Sequence, residues 1–238
     1  MNRRDAVQVC EVSSFWDLVV VATMIDDGRL GTPARRVLVV ANCGDIPETE
    51  RRIQDNPAFG TLAAAFDAVI DYNAAVQPLH PSRWRPQRFE EPLWERGLRA
   101  LWGLGDAPVE LVVENVQQPP GLSLGLVFAD APVVAYYDNL RARTAGAAAL
   151  PVRLGSRLDE VTHLGRGAPP HPLTDRQVLV SRIAPAAVRR TQRRTGAGLW
   201  RRLVWDPAFG LPQVRGLRVV RAARALLQGE RTPADVPR

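Results

Sequence analysis

Five short apolar runs limit what this chain can fold into more than any other feature. They are AVQVCEV (6–12), VLVVANC (37–43), DAVIDYN (67–73), ELVVENV (110–116) and APVVAYYD (131–138). Each is rich in β-branched residues and too short for a buried helix. A run that is apolar throughout, instead of alternating, belongs to a strand covered on both faces. Between the runs lie segments with helical spacing. Ser13 and Ser14 can cap a helix whose apolar residues are Phe15, Leu18, Val19, Ala22 and Ile25. The stretch 90–104 reads as an amphipathic helix with Leu93, Leu98, Leu101 and two Trp on or near one face, and Pro119 and Pro120 open another at 122–128. Strands alternating with helices predict an α/β fold: a Rossmann-like three-layer α/β/α lobe with a mostly parallel sheet. The segment 78–89, with Pro78, Pro81 and Pro86, is a loop.

The charge changes sign where the last run ends. Residues 1–138 carry 12 Arg against 19 acids, and residues 139–238 carry 19 Arg against 6 acids. The domain reading is therefore 1–150 for the folded lobe and 151–238 for an irregular, Arg/Pro/Gly-rich, partly helical extension. One helix is expected over 153–164, and no sheet-like alternation after Gly165. Two origins fit the extension: divergence to a basic tail, or an out-of-frame translation of a GC-rich gene, which is favoured. All 31 basic residues are Arg, so lysine Schiff-base and P-loop chemistry are excluded. Cys10 and Cys43 read as buried thiols of a reducing compartment. His80, His163 and His171 lack the paired spacing of a zinc site. No stretch reaches the ~20 apolar residues of a membrane span, and the expected location is cytoplasmic.

Ligands of open α/β sheets bind beyond the carboxyl ends of the strands. That rule selects Ser13 and Ser14, Asn42 and Gly44, Asn73, Glu114 and Asn115, and Asp138 and Asn139. Neither a dinucleotide glycine fingerprint nor a phosphate-binding P-loop is present. Asp138, closing the last run, is the best candidate general base. As ordinary structure it would be a strand-ending Asp that caps a turn. His80 and His171 read as turn residues, and the tail Arg run as a solvated face.

The stretches EVSSFWDLVVVATMIDDGRLG, RRVLVVANCGDIPET, FDAVIDYNAAVQPLHPSRWRP and PLWERGLRALWGLGDAPVELVVENVQQPPGLSLGLVFADAPVVAYYDNL together resemble the actinobacterial branch of the bacterial α-2,8-polysialyltransferase-like glycosyltransferases. The resemblance covers roughly residues 6–165. It implies the N-terminal half of a B-type enzyme that transfers sialic acid from CMP-sialic acid to a glycan hydroxyl by inverting displacement, without metal or other cofactor. The family's acidic motif falls on Tyr137-Asp138-Asn139, which keeps the carboxylate and departs at both neighbours. Asp138 would be the catalytic base, with Ser13, Ser14, Asn42, Glu114 and Asn139 binding substrate. His80-Pro81 would belong to a loop of the first lobe, and His171-Pro172 comes too early for the family's donor-binding His-Pro pair. The expected protein is therefore a first lobe, truncated and inactive alone. Peripheral association with a membrane is compatible with it. A non-catalytic nucleotide- or glycan-binding module is the alternative, and nucleic-acid binding through the tail a weaker third.

Overall fold

The computed structural model describes residues 5–47, 50–137, 151–164, 179–183, 187–188 and 190–191. Its centre is a seven-stranded sheet in which all six pairings are parallel. In chain order the elements are β1 (Val7–Val12), α1 (Phe15–Asp26), β2 (Arg35–Val40), α2 (Phe59–Ala63), β3 (Ala68–Asp71), α3 (Tyr72–Val76), α4 (Glu91–Leu101), β4 (Val109–Glu114), α5 (Gly121–Val127), β5 (Val133–Tyr137), α6 (Val152–Gly155), β6 (Leu158–Leu164) and β7 (Leu179–Ile183). The strand order is β3-β2-β1-β4-β5-β6-β7. The chain first builds outward from β1 to β3, returns to the other side of β1 with β4, and then builds outward to β7. This is an α/β, Rossmann-like architecture.

The period of two along each strand divides the core into two layers. Val7 and Val9, Val37 and Val39, Leu111 and Val113, and Val133, Ala135 and Tyr137 face one side, under Tyr72 and Val76 of α3, Leu98 of α4 and Leu122, Leu124 and Leu126 of α5. Cys10 and Val12, Leu38 and Val40, Val112, Val134 and Tyr136 face the other, under Leu18, Val19 and Val21 of α1 and Leu62 of α2. Ala187 and Val188 join this second layer, and Thr23 donates a hydrogen bond to Thr191 at 3.0 Å.

Four expectations are corrected. The helix expected over 153–164 is a single turn, α6, followed by β6. Leu154, Leu158 and Val161 are spaced i, i+4, i+7, which reads as helical, yet Leu154 packs from α6 and the other two from β6. Leu158 and Val161 are three apart and share one core layer because the register slips between Val133 and Val134, so that Asp159 is the extra residue. The second correction is β7, which follows Gly165 and pairs with β6 in parallel. An edge strand has one partner and need not show the apolar run of a central one. Third, the run 67–73 leaves the sheet at Asp71. The Asp71 carboxylate accepts hydrogen bonds from the Asn73 and Ala74 amides and starts α3. Fourth, α4 turns Leu98, Trp102 and in part Trp94 inward, spaced by four, and leaves Leu93 and Leu101 at 62% and 65% exposure.

Two described segments beyond residue 150, Leu158–Leu164 and Leu179–Ile183, are therefore part of the sheet. Arg157, just before β6, donates to the carbonyls of Phe128 (2.9 Å), Ala131 (2.6 Å) and Gly125 (2.6 Å). One guanidinium thus satisfies the open carboxyl end of α5.

Candidate functional site

The reversal of strand order between β1 and β4 leaves a crevice at their carboxyl ends. A cavity of about 280 Å³ lies there, lined by Ser13, Cys43, Ser82, Glu114, Asn115, Gln118, Pro119 and Pro120. One buried carboxylate, Glu114, lines it, and two more, Glu11 and Asp17, are hydrogen-bonded to the lining residues Glu114 and Ser13. The Ser13 hydroxyl donates to Glu114 Oε2 at 2.6 Å and lies 3.3 Å from Asp17 Oδ2. Ser13 N also donates to Asp17 Oδ2, at 3.2 Å. Glu11 Oε2 accepts from the Glu114 amide at 3.0 Å, tying β1 to β4 under the cavity. Buried carboxylates held this way are costly unless hydrogen-bonded, so the arrangement fixes the crevice floor in one geometry.

The rim is held as firmly. Asn115 has φ of 57°, the left-handed region that Asn tolerates better than most residues, and its Oδ1 accepts from the Gln117 amide at 2.9 Å. The Val116 amide donates to the Tyr137 hydroxyl at 3.3 Å. Gly121 opens α5 against this turn: a Cβ there would stand 2.5 Å from the Glu114 carbonyl oxygen and 2.8 Å from that of Asn115. Only glycine allows so close an approach. On the opposite rim, Ser82 is carried by the 78–89 loop, which Ser123 of α5 anchors by donating to the Trp84 carbonyl.

The residues expected from sequence separate into three groups. Ser13 and Glu114 meet in the crevice, with Asn115 beside them. Ser14 does not line it; its hydroxyl accepts from the Asp17 amide at 3.1 Å and donates to Asp17 Oδ2 at 2.6 Å, which makes it the cap of α1. Asn42 lies one strand away and is engaged on both side-chain atoms. Its Oδ1 accepts from Ile53 N and its Nδ2 donates to Gln54, while its backbone exchanges two hydrogen bonds with Asn73. Asp138 and Asn139 lie outside the described residues, as does His171. His80 sits in the 78–82 loop with both ring nitrogens engaged. Nε2 stands 2.8 Å from the Gly44 carbonyl, which can only accept, so Nε2 carries the proton and Nδ1 accepts from Ser82. That loop and the loop after β2 enclose a second cavity of about 360 Å³, lined by Asp45, Asn73, Gln77 and His80 among others.

Sequence reasoning missed Asp17, Glu11, Cys43, Ser82 and Gln118. The Ser14-x-x-Asp17 spacing, a capping-box pattern, was the available signal for Asp17. Nothing local could bring Ser82 from a loop, or Gln118 from beyond β4, to the end of β1.

Burial pushes the Cys10 thiol and the hydroxyls of Tyr72, Tyr136 and Tyr137 well above their ordinary values; nearby carboxylates add to the effect. Cys10 is thereby an inert thiol, and Cys43 is the half-buried one that borders the crevice. Among the described residues no group of three or more His, Cys, Asp or Glu is placed to hold a metal. No helix among them is long and apolar enough to cross a membrane. Comparison with known proteins gives no match to a family model, to a curated protein or to a solved structure.

Proposed function

We propose that the chain supplies the acceptor-binding lobe of a sialyltransferase-like glycosyltransferase, catalytic when a donor-binding lobe faces it. The observation that carries this reading is the crevice between β1 and β4. Two hydroxyls, two side-chain amides and one carboxylate converge on a space just below the ~300–1,000 Å³ of small-ligand sites. Hydroxyl, amide and carboxylate groups are the partners a polyhydroxylated sugar needs. The family resemblance adds the chemistry. The acceptor oxygen attacks the anomeric carbon of the sialyl donor, the bond from that carbon to the CMP phosphate oxygen breaks, CMP leaves, and Asp138 takes the acceptor proton. Asp138 enters on the resemblance and on its place directly after β5. Rate would come from orienting the two substrates across the cleft.

Calorimetry with neutral and sialylated oligosaccharides, CMP and CMP-sialic acid, beside a transfer assay, tests the proposal. Glycan binding that Glu114→Gln weakens by about tenfold or more supports it, since a hydrogen bond to a charged group carries ~1.5–3 kcal/mol. Glycans that fail to bind, or that bind Glu114→Gln as well as wild type, would remove the crevice from the function. Binding without turnover, with Asp138→Asn changing nothing, would favour the alternative of a non-catalytic glycan-binding module.

A further inference from the structure

α4 covers the core with one face and presents an apolar stripe on the other. Leu98 and Trp102 are buried below it, while Leu93 and Leu101 stand 62% and 65% exposed and Phe89, just before the helix, 77% exposed. Gly97 and Ala100, also exposed, continue the stripe between them. Leu93, Gly97, Ala100 and Leu101 are spaced by about one turn, so they share the outward face of α4, and exposed Phe89 lies in the turn that leads into it. A contiguous apolar patch on a surface helix marks a docking site.

The charges beside the ridge say what it docks to. Residues 1–138 have an acidic balance, yet five of their twelve Arg fall between 83 and 99. Arg83, Arg85, Arg88 and Arg96 are exposed. Three acids share the stretch with the five Arg: Glu91 is buried and paired with Arg153, Glu95 is paired with Arg99 at 2.9 Å, and the half-buried Glu90 accepts from the Gln87 amide at 2.9 Å, so the four exposed Arg face one carboxylate that has no cationic partner among the described residues. The segment thus offers solvent an apolar ridge beside unneutralised guanidinium groups. That combination complements an anionic lipid surface, where apolar side chains enter the acyl boundary and cations stay at the headgroups.

We propose that this face, Phe89, Leu93 and Leu101 with Arg85, Arg88 and Arg96, seats the protein on an anionic membrane. α4 lies flat on the lipid there and does not span it.

The test is co-sedimentation of the full-length protein with phosphatidylcholine vesicles and with phosphatidylcholine–phosphatidylglycerol vesicles, at low and high salt. Wild type should bind the anionic vesicles and release as salt rises. Phe89→Ser/Leu93→Ser should lower the partition coefficient by about tenfold or more, from loss of buried apolar area. Arg88→Gln/Arg96→Gln should lower it by about fivefold for each arginine removed. Both pairs are exposed, so unchanged thermal midpoints will show that the fold is intact. Equal binding to neutral and anionic vesicles would overturn the proposal. So would equal binding by wild type and both variants, which would assign the lipid contact to the Arg-rich C-terminal segment. Absence of vesicle binding, with self-association that Phe89→Ser/Leu93→Ser abolishes, would make the face a protein contact instead.

Discussion

Gly121→Ala puts the construction of the crevice to a direct test. The added methyl would meet the Glu114 and Asn115 carbonyl oxygens at 2.5 and 2.8 Å, and Val113 Cβ at 3.2 Å. Two of these atoms are backbone, at the end of a strand paired on both sides, so they cannot move aside as a side chain can. Overpacking of this kind costs about 1–3 kcal/mol, and the rigid partners place Gly121→Ala in the upper part of that range. For a chain of this size about 2–3 kcal/mol lowers the melting temperature by roughly 4–12 °C. Gly97→Ala is the matched control: it lies in α4 with nothing within 4 Å of the added methyl. Relief of the helical glycine penalty there should stabilise by about 1 kcal/mol. Gly125→Ala is intermediate, because its methyl would meet the Leu154 side chain at 2.7 Å, and a side chain can rotate. Thermal unfolding followed by circular dichroism ranks the three. A Gly121→Ala protein that melts within a degree of wild type would refute the close approach of α5 to the crevice turn, and with it the account of how the rim is held.

Three further outcomes follow from the same structure. Arg157→Met should destabilise by about 2–4 kcal/mol, because three carbonyls at the end of α5 lose a charged donor; a denaturant midpoint equal to that of wild type would contradict it. All three tyrosines of the chain are buried with raised pKa. Their contribution to stability is therefore present below about pH 10 and is lost as pH rises beyond it, where the unfolded chain ionises and the folded one does not. Tyrosinate absorbance should then appear only together with unfolding, and its appearance near pH 10 in protein with native circular dichroism would count against this burial. Cys43 should react with an aromatic disulfide reagent far faster than Cys10, and its label should block glycan binding in the crevice; equal rates for the two thiols would be inconsistent with the observed burial.

The strands were legible because burial on both faces writes itself into composition. VLVV and ELVV have no room for water on either side, and each formed a strand within three residues of the expected limits. The cap at Ser14 was legible for a local reason too, since its partner Asp17 is three residues away. β6 and β7 were not. Leu154, Leu158 and Val161 carry a helical spacing, and only the slipped register beside Val133 places the last two on one face of a strand. The amphipathic assignment of α4 was half legible. Counting apolar residues found the helix, but Leu93 and Leu101 belong to its outer face, and what that face meets lies outside the chain's own core.

By itself, then, the amino-acid order determined an α/β chain with strand ends rich in polar groups, because periodicity and caps act over a few residues. Which of those ends converge was decided by the reversal of strand order that sets β1 beside β4. Ser13 and Glu114 are 101 residues apart in the chain and share a 2.6 Å hydrogen bond. Ser14 and Asn42, equally plausible as letters, were drawn into a helix cap and a loop brace. Pairing between distant strands is a property of the whole sheet, and no local window of sequence contains it.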